Sequence, residues 1–183
     1  MAMTAGIIGK ANVGKSTFFS AATMAPAKVG PYPFVTIEPN RGVAHIRFRC
    51  VCRDLGVTDN PQNSTCVNGI RWVPVELVDV AGLVPGAHEG RGLGNKFLDD
   101  LRQVDGFIQV VDAAGCTDAS GLLCRPGERD PLDDVRFLEY EITMWMFQIL
   151  KRDWEKIVKG VIQLKEDPVA LLTERLTGLM FAK

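Results

Sequence analysis

Apolar and polar positions follow several rhythms along this chain, and each change of rhythm marks an element. Residues 5–8 (Ala-Gly-Ile-Ile) form a short apolar run that suits a buried strand. Residues 9–14 read as loop, and 16–24 as a helix with Phe18, Phe19 and Ala22 available for packing. Pro26, Gly30, Pro31 and Pro33 stop it. Residues 43–48 alternate like a half-exposed strand, and 50–69 carry the turn chemistry of a surface insertion. Residues 72–80 read as the next strand, with Pro74 arguing for an edge position or a strand starting there. Five glycines and Pro85 make 81–94 a mobile loop, before a helix over 95–103 and a buried strand over 107–111.

Beyond Asp112 the rhythm becomes helical. Residues 113–130 are loop-like, and Pro131 with Asp133 and Asp134 signals a helix start. Val135, Leu138, Ile142, Trp145 and Ile149 recur at steps of three and four, one face of a long amphipathic helix. Ile157, Val158, Val161, Ile162 and Leu164 predict a second helix, and Leu171, Leu172, Leu176 and Leu179 after Pro168 a third. Strands alternating with helices, followed by helices alone, predict an α/β domain over 1–114 and a helical segment over 115–183.

Composition narrows the functions. At 46% hydrophobic and 23% charged, 183 residues suffice for one core and exclude a disordered chain. No apolar run approaches the roughly 20 residues of a membrane-spanning helix, so no membrane partner is expected. The start lacks the basic and apolar stretches of a secretory signal. Five cysteines without framework spacing point to a reducing, cytoplasmic setting. The net charge of −1 divides into +5 over residues 1–50 and −6 over the rest. That balance does not indicate sequence-specific nucleic-acid binding, and the basic first quarter suits a small polyphosphate.

Residues 9–16, Gly-Lys-Ala-Asn-Val-Gly-Lys-Ser, match the phosphate-binding loop G-x-x-x-x-G-K-[ST] between a strand and a helix. Gly9 and Gly14 permit torsions that a Cβ blocks, the loop amides form an anion nest at a helix N-terminus, Lys15 reaches the β- and γ-phosphates, and Ser16 ligates Mg²⁺. Asp79 and Gly82 form D-x-x-G after an apolar strand, placing Asp79 by Mg²⁺ and the Gly82 amide by the γ-phosphate. Thr36, in a Pro-bounded loop, is available to Mg²⁺ as part of an order–disorder switch.

At these residues the chain resembles the Obg-like P-loop GTPases, and within them the YchF/Obg-like ATPase subfamily in its archaeal form, over the N-terminal portion. The resemblance rests on residues 9–17, 32–40 (Tyr-Pro-Phe-Val-Thr-Ile-Glu-Pro-Asn) and 79–98, and continues through 110–113 and past Pro131. It implies a Ras-like P-loop NTPase G domain with a mainly parallel sheet, incomplete at its C-terminus, plus an α-helical insertion. It also implies GTP or ATP as ligand, slow Mg²⁺-dependent hydrolysis and the ribosome as partner. Gly9, Asn12, Val13, Gly14, Lys15, Ser16 and Thr17 hold the nucleotide. Ser16, Thr36 and Asp79 hold Mg²⁺, and Lys15, Thr36, Gly82 and His88 serve catalysis. Asn12 matches an asparagine that, in related GTPases, helps bind K⁺.

Leu83 stands where many GTPases place a water-orienting glutamine. His88 is the nearest titratable alternative, its plainer reading being a packing or partner role. The guanine-reading Asn-Lys-x-Asp motif is absent: Asn95-Lys96-Phe97-Leu98-Asp99 puts its aspartate one residue late. In the family that motif follows the helical insertion, so the chain is expected to be an N-terminal portion that leaves the base unread and the sheet poorly covered. Cys50, Cys52 and Cys66 offer three zinc ligands where a structural site needs four, and His45, which could serve as the fourth, lies on the expected strand, so reduced, unligated thiols are expected. Glu128, Asp130, Asp133, Asp134, Glu139 and Glu141 read as a solvated face. The leading expectation is a nucleotide-switched regulator; a binding module with negligible turnover and a small-molecule kinase are the alternatives, the Thr36 loop and residues 79–83 arguing against the kinase.

Overall fold

A computed structural model describes residues 3–26, 39–92, 100, 102–163, 165 and 167–176. Its frame is one mixed sheet in the order β2-β4-β1-β5, with β3 also pairing β4. Strand β1 (Met3–Ile8) runs parallel to both β4 (Ile70–Asp79) and β5 (Gly106–Gln109). This parallel centre is extended by β2 (Asn40–Arg49) and β3 (Thr65–Val67), both antiparallel to β4.

Pro74 is neither at an edge nor at a start. It lies inside β4, opposite His45 of β2. On the other side of β4, β3 ends opposite Trp72 and β1 begins opposite Val75. The proline falls in that gap, where no partner strand awaits an N–H.

The period-two pattern of the central strands sorts side chains to two faces. Ala5, Ile7, Val75 and Leu77 pack with Phe19 of helix α1 (Lys15–Thr23). Phe19 is fully buried, whereas Phe18 is exposed. Ile8, Val78, Val80, Leu83, Ala87 and Val104 pack with Leu138 and Trp145 of helix α3 (Pro131–Gln163). Asp130 precedes that helix and accepts from the Leu132 amide at 2.9 Å. The two helices predicted either side of residue 150 are one helix of 33 residues. Residues 150–156 contain no glycine or proline, so nothing breaks the ladder. Helix α4 (Pro168–Leu176) returns Leu176 to the same core.

The insertion at 50–69 holds a one-turn helix, α2 (Cys52–Leu55), and strand β3, neither of which the turn residues announce. The helix expected over 95–103 lies largely outside the described residues, as do Thr36, most of the 32–40 segment and Leu179. No helix among the described residues is long and apolar enough to cross a membrane.

Candidate functional site

The segment between β1 and α1 is built on positive φ at Gly9 (149°), Asn12 (61°) and Gly14 (94°). Gly9 is a steric requirement, because a Cβ there would stand 2.4 Å from the Val110 carbonyl oxygen. Val13 is half-buried and Gly14 precedes α1, whose first intrahelical bond runs from the Phe18 amide to the Gly14 carbonyl at 2.9 Å. The amides of Lys15, Ser16 and Thr17 precede that bond and belong to the electropositive end of the helix. Lys15 is buried, and its Nζ donates to the Lys10 carbonyl at 2.8 Å. Burial lowers its pKa to about 8, against the opposing pull of Asp79. A buried cation of this kind is poised to gain from an anionic ligand.

Asp79 ends β4 with no solvent exposure. Its Oδ2 accepts from Ser16 Oγ at 2.6 Å and Asn40 Nδ2 at 3.2 Å. Its Oδ1 is buried without a hydrogen-bond partner among the described residues. A hydroxyl and an under-satisfied buried carboxylate at a helix N-terminus fit a hard divalent cation such as Mg²⁺. Gly82 closes this corner: a Cβ would lie 2.7 Å from Ala11 Cα and 2.9 Å from Lys15 Nζ. Leu83 is buried and clips the loop through its backbone, its carbonyl accepting from Ala11 N at 3.0 Å and its amide donating to the Gly9 carbonyl at 3.2 Å. The segment expected to be mobile from residue 81 is therefore pinned at its start.

His88 lies in a 3-10 turn (Ala87–Glu89) against α3. Its Nδ1 is 2.6 Å from Glu141 Oε2, which also accepts the His88 amide at 2.9 Å, while Glu141 Oε1 accepts the Gly86 amide at 2.8 Å. Tyr140 packs edge-on against the imidazole, with ring centroids 5.8 Å apart. This arrangement favours the packing role for His88. Burial alone would raise the Glu141 pKa, but the hydrogen bonds from His88 and Gly86 together outweigh it and the pKa is lowered. Glu128, Asp130, Asp133 and Glu139 are exposed as a solvated face requires, but Asp134 and Glu141 are buried, which corrects the expectation at those two residues.

A loop between β5 and α3 closes over the phosphate-type loop. Asn12 Nδ2 donates to the Gly121 carbonyl at 3.1 Å, and buried Lys10 pairs with Asp134 at 2.8 Å while donating to the Thr117 carbonyl at 2.9 Å. Asp112 organises that loop, accepting from Thr117 Oγ1 at 2.6 Å and the Cys116 amide at 2.8 Å. Hydrogen bonds from Thr117 and Cys116 outweigh desolvation and hold the Asp112 carboxyl below its usual range.

Away from this corner, Cys50, Cys52 and Cys66 converge with Asp59 so that all four donor atoms lie within 4.8 Å of one another. His45 is elsewhere, edge-on to Trp72 with ring centroids 6.4 Å apart. A bond from the Cys52 amide leads in lowering the Cys50 thiol to about 7, and a bond with Cys50 leads in raising Cys52 to about 11.

Motif reading missed Glu141, Lys10, Asp134 and Asp59. For two of them a signal existed. Asp134 and Glu141 stand at steps of four and three from Leu138, on the stripe that reaches Trp145. A charged residue on an apolar stripe announces a buried partner. Asp59 had no signal beyond lying between Cys52 and Cys66.

Comparison with known proteins places these features in context. The model of a family described as 50S ribosome-binding GTPase matches residues 4–133. An uncharacterized GTP-binding protein of Methanocaldococcus jannaschii is 57% identical over 175 residues, covering 95% of this chain and 44% of that protein. The ribosome-binding ATPase YchF of Bacillus subtilis is 38% identical over 172 residues, covering 92% of this chain and 43% of that one. The crystal structure of a GTP-binding protein from Pyrococcus horikoshii superposes with a TM-score of 0.73 at 38% identity, over 97% of this chain and 42% of that chain. The chain thus spans less than half the length of these relatives.

Proposed function

The chain belongs to the 50S ribosome-binding GTPase family, and from that premise we propose that it is the nucleotide-handling portion of a ribosome-associated switch that binds GTP or ATP and hydrolyses it slowly. The observation that carries the reading is the corner where Lys15, Ser16, Asp79 and Gly82 meet, with Ser16 Oγ 2.6 Å from Asp79 and Lys15 Nζ against Gly82.

In this reading the amides from Asn12 to Thr17 cradle the phosphates, and Lys15 gives up its carbonyl contact to reach the β- and γ-oxygens. Ser16 and Thr36 hold Mg²⁺, with Asp79 in or just beyond its ligand shell. Bound there, Mg²⁺ supplies charge neutralisation on the phosphates. Gly82 offers its amide to the γ-phosphate, and its lack of a side chain keeps Lys15 free to move. Asn12 is the residue at which K⁺ would assist, and equal turnover in Na⁺ and K⁺ counts against that part. Residues 1–114 handle the nucleotide, residues 115–183 contribute the helical segment, and a cytoplasmic setting completes the proposal.

Leu83 supports slow turnover. Its aliphatic side chain is buried where a water-orienting glutamine is common, so electrostatic stabilisation by Lys15 and the loop amides must supply most of the rate. The same observation favours a second reading, a binding module with negligible hydrolysis. Calorimetric titration of the full-length protein with non-hydrolysable ATP and GTP analogues in parallel tests binding, and failure of both defeats the proposal. Phosphate release with and without ribosomes then separates switch from inert binder.

A further inference from the structure

The excursion from residue 50 to 69 has no core of its own. Val51, Leu55, Val57 and Val67 are each at least half exposed, and neither hydrophobic cluster includes a residue of this segment. A loop, a one-turn helix and a three-residue strand cannot order themselves by apolar burial on that basis. What the segment concentrates instead is donor atoms. Cys50 follows β2, Cys52 opens α2, Asp59 comes from the irregular stretch that follows α2, and Cys66 from the middle of β3.

One spacing among those atoms is that of a tetrahedral edge, and all four lie within 4.8 Å of one another. Two sulfurs bound to zinc at about 2.3 Å stand about 3.8 Å apart across a tetrahedral edge; Cys52 Sγ and Cys66 Sγ are 3.7 Å apart. Cys50 Sγ and Asp59 Oδ2 are 3.0 Å apart, a hydrogen-bond distance that would open to roughly 3.6 Å about an ion. The four ligands come from both ends and the middle of the excursion, so one ion would tie β2, α2 and β3 together.

Charge points the same way. Three thiolates and a carboxylate carry four negative charges, which a divalent ion halves. Arg71 of β4 supplies a further positive charge: its Nη2 bonds Asp59 and lies 3.4 Å from Cys50 Sγ, and its Nη1 bonds Ser64 Oγ at 3.1 Å. A cation bonded to a ligating carboxylate and a ligating sulfur is the outer-shell support that metal sites use.

We propose that Cys50, Cys52, Asp59 and Cys66 bind one Zn²⁺ in a structural site that fastens the β2–β3 ribbon, separate from the nucleotide corner. Soft thiolates with one carboxylate select zinc over Mg²⁺ or Ca²⁺. Four protein ligands close the coordination sphere, so the site is structural and holds no reactive water. Binding displaces the thiol protons to solvent, with no redox change.

The test uses the full chain purified under reducing conditions without chelator. Elemental analysis is expected to find about one zinc per chain. Cobalt(II) added to the stripped protein is expected to give thiolate charge-transfer absorption and intense visible bands of a tetrahedral site. Cys66→Ser should remove about a third of the charge-transfer intensity, one thiolate of three. Asp59→Asn should keep that intensity and shift the visible bands. Chelation should speed proteolysis within 51–69 and leave nucleotide binding at Lys15 unchanged. Substoichiometric zinc with a weak octahedral cobalt spectrum overturns the proposal. So does a Cys52–Cys66 disulfide in protein whose thiols were blocked at lysis. The cobalt spectrum of the unaltered chain is decisive even where a variant folds poorly.

Discussion

At Gly82 only a hydrogen stands where a side chain would meet the phosphate-type loop. Ala11 Cα and Lys15 Nζ would stand 2.7 and 2.9 Å from a methyl group there. The lysine tip can move; the loop backbone cannot move without deforming the nest. Gly82→Ala is therefore expected to weaken nucleotide binding by about tenfold or more, a shift of about 1.4 kcal/mol or greater, with a much smaller change in melting temperature. Titration calorimetry beside thermal unfolding checks both. Asp79 is the second sensitive position. Asp79→Asn keeps the shape but removes charge from a buried oxygen that lacks a partner among the described residues, so the Mg²⁺ concentration for half-maximal nucleotide binding is expected to rise about 10–100-fold. At this scale the sequence was most readable where backbone need and side-chain chemistry coincide, as at Gly9, Gly14, Lys15 and Ser16. It was least readable at Asp59, whose partners Cys50 and Arg71 are near in the chain but stand at no spacing that marks a site.

Helix α3 and the turn at residues 86–89 meet through one carboxylate. The Glu141 pKa lies below its ordinary 4.5 because the folded protein bonds its charged form through His88 and Gly86. The unfolded chain therefore takes up this proton first as pH falls. The contribution is complete above pH 4.5 and is lost as pH drops through the lower folded value. Melting temperature between pH 7 and 3.5 is expected to fall more steeply for the unaltered chain than for Glu141→Gln. The variant should be less stable at pH 7 by about 1–3 kcal/mol. Lys10 and Asp134 form a second joint, both side chains at most 10% exposed. Asp134→Asn is expected to cost about 3–5 kcal/mol in denaturant unfolding, and an apolar replacement of both residues to recover most of it. Helical periodicity revealed α3 but not its full length, because a polar stretch with good helix formers resembles a boundary. It also set the two acids on the apolar stripe, but not their partners, which come from loops that carry no period.

Taken whole, the molecule is a sheet with one helix layer on each face and a thinner ribbon projecting beyond it. The α/β class and its parallel centre follow from alternating strand and helix patterns joined to one loop motif. The antiparallel ribbon does not, because turn residues at 50–69 say where the chain bends but not what it pairs with. Strands β1 and β4 are sandwiched between two hydrophobic clusters, whereas residues 46–49 and 65–67 belong to neither cluster among the described residues. Native-state hydrogen exchange should show amides of 46–49 and 65–67 opening at least about tenfold faster than those of 5–8 and 75–79.

The unbroken 33 residues of α3 have a mechanical consequence. Such a rod is about 50 Å long, and Glu141 grips it nearer one end, leaving about 33 Å on the far side. Trp145, Met146 and Ile149 hold the rod against the core beyond that clasp, so a shift of the turn at residues 86–89 is passed to the helix along a packed seam and not at a single point.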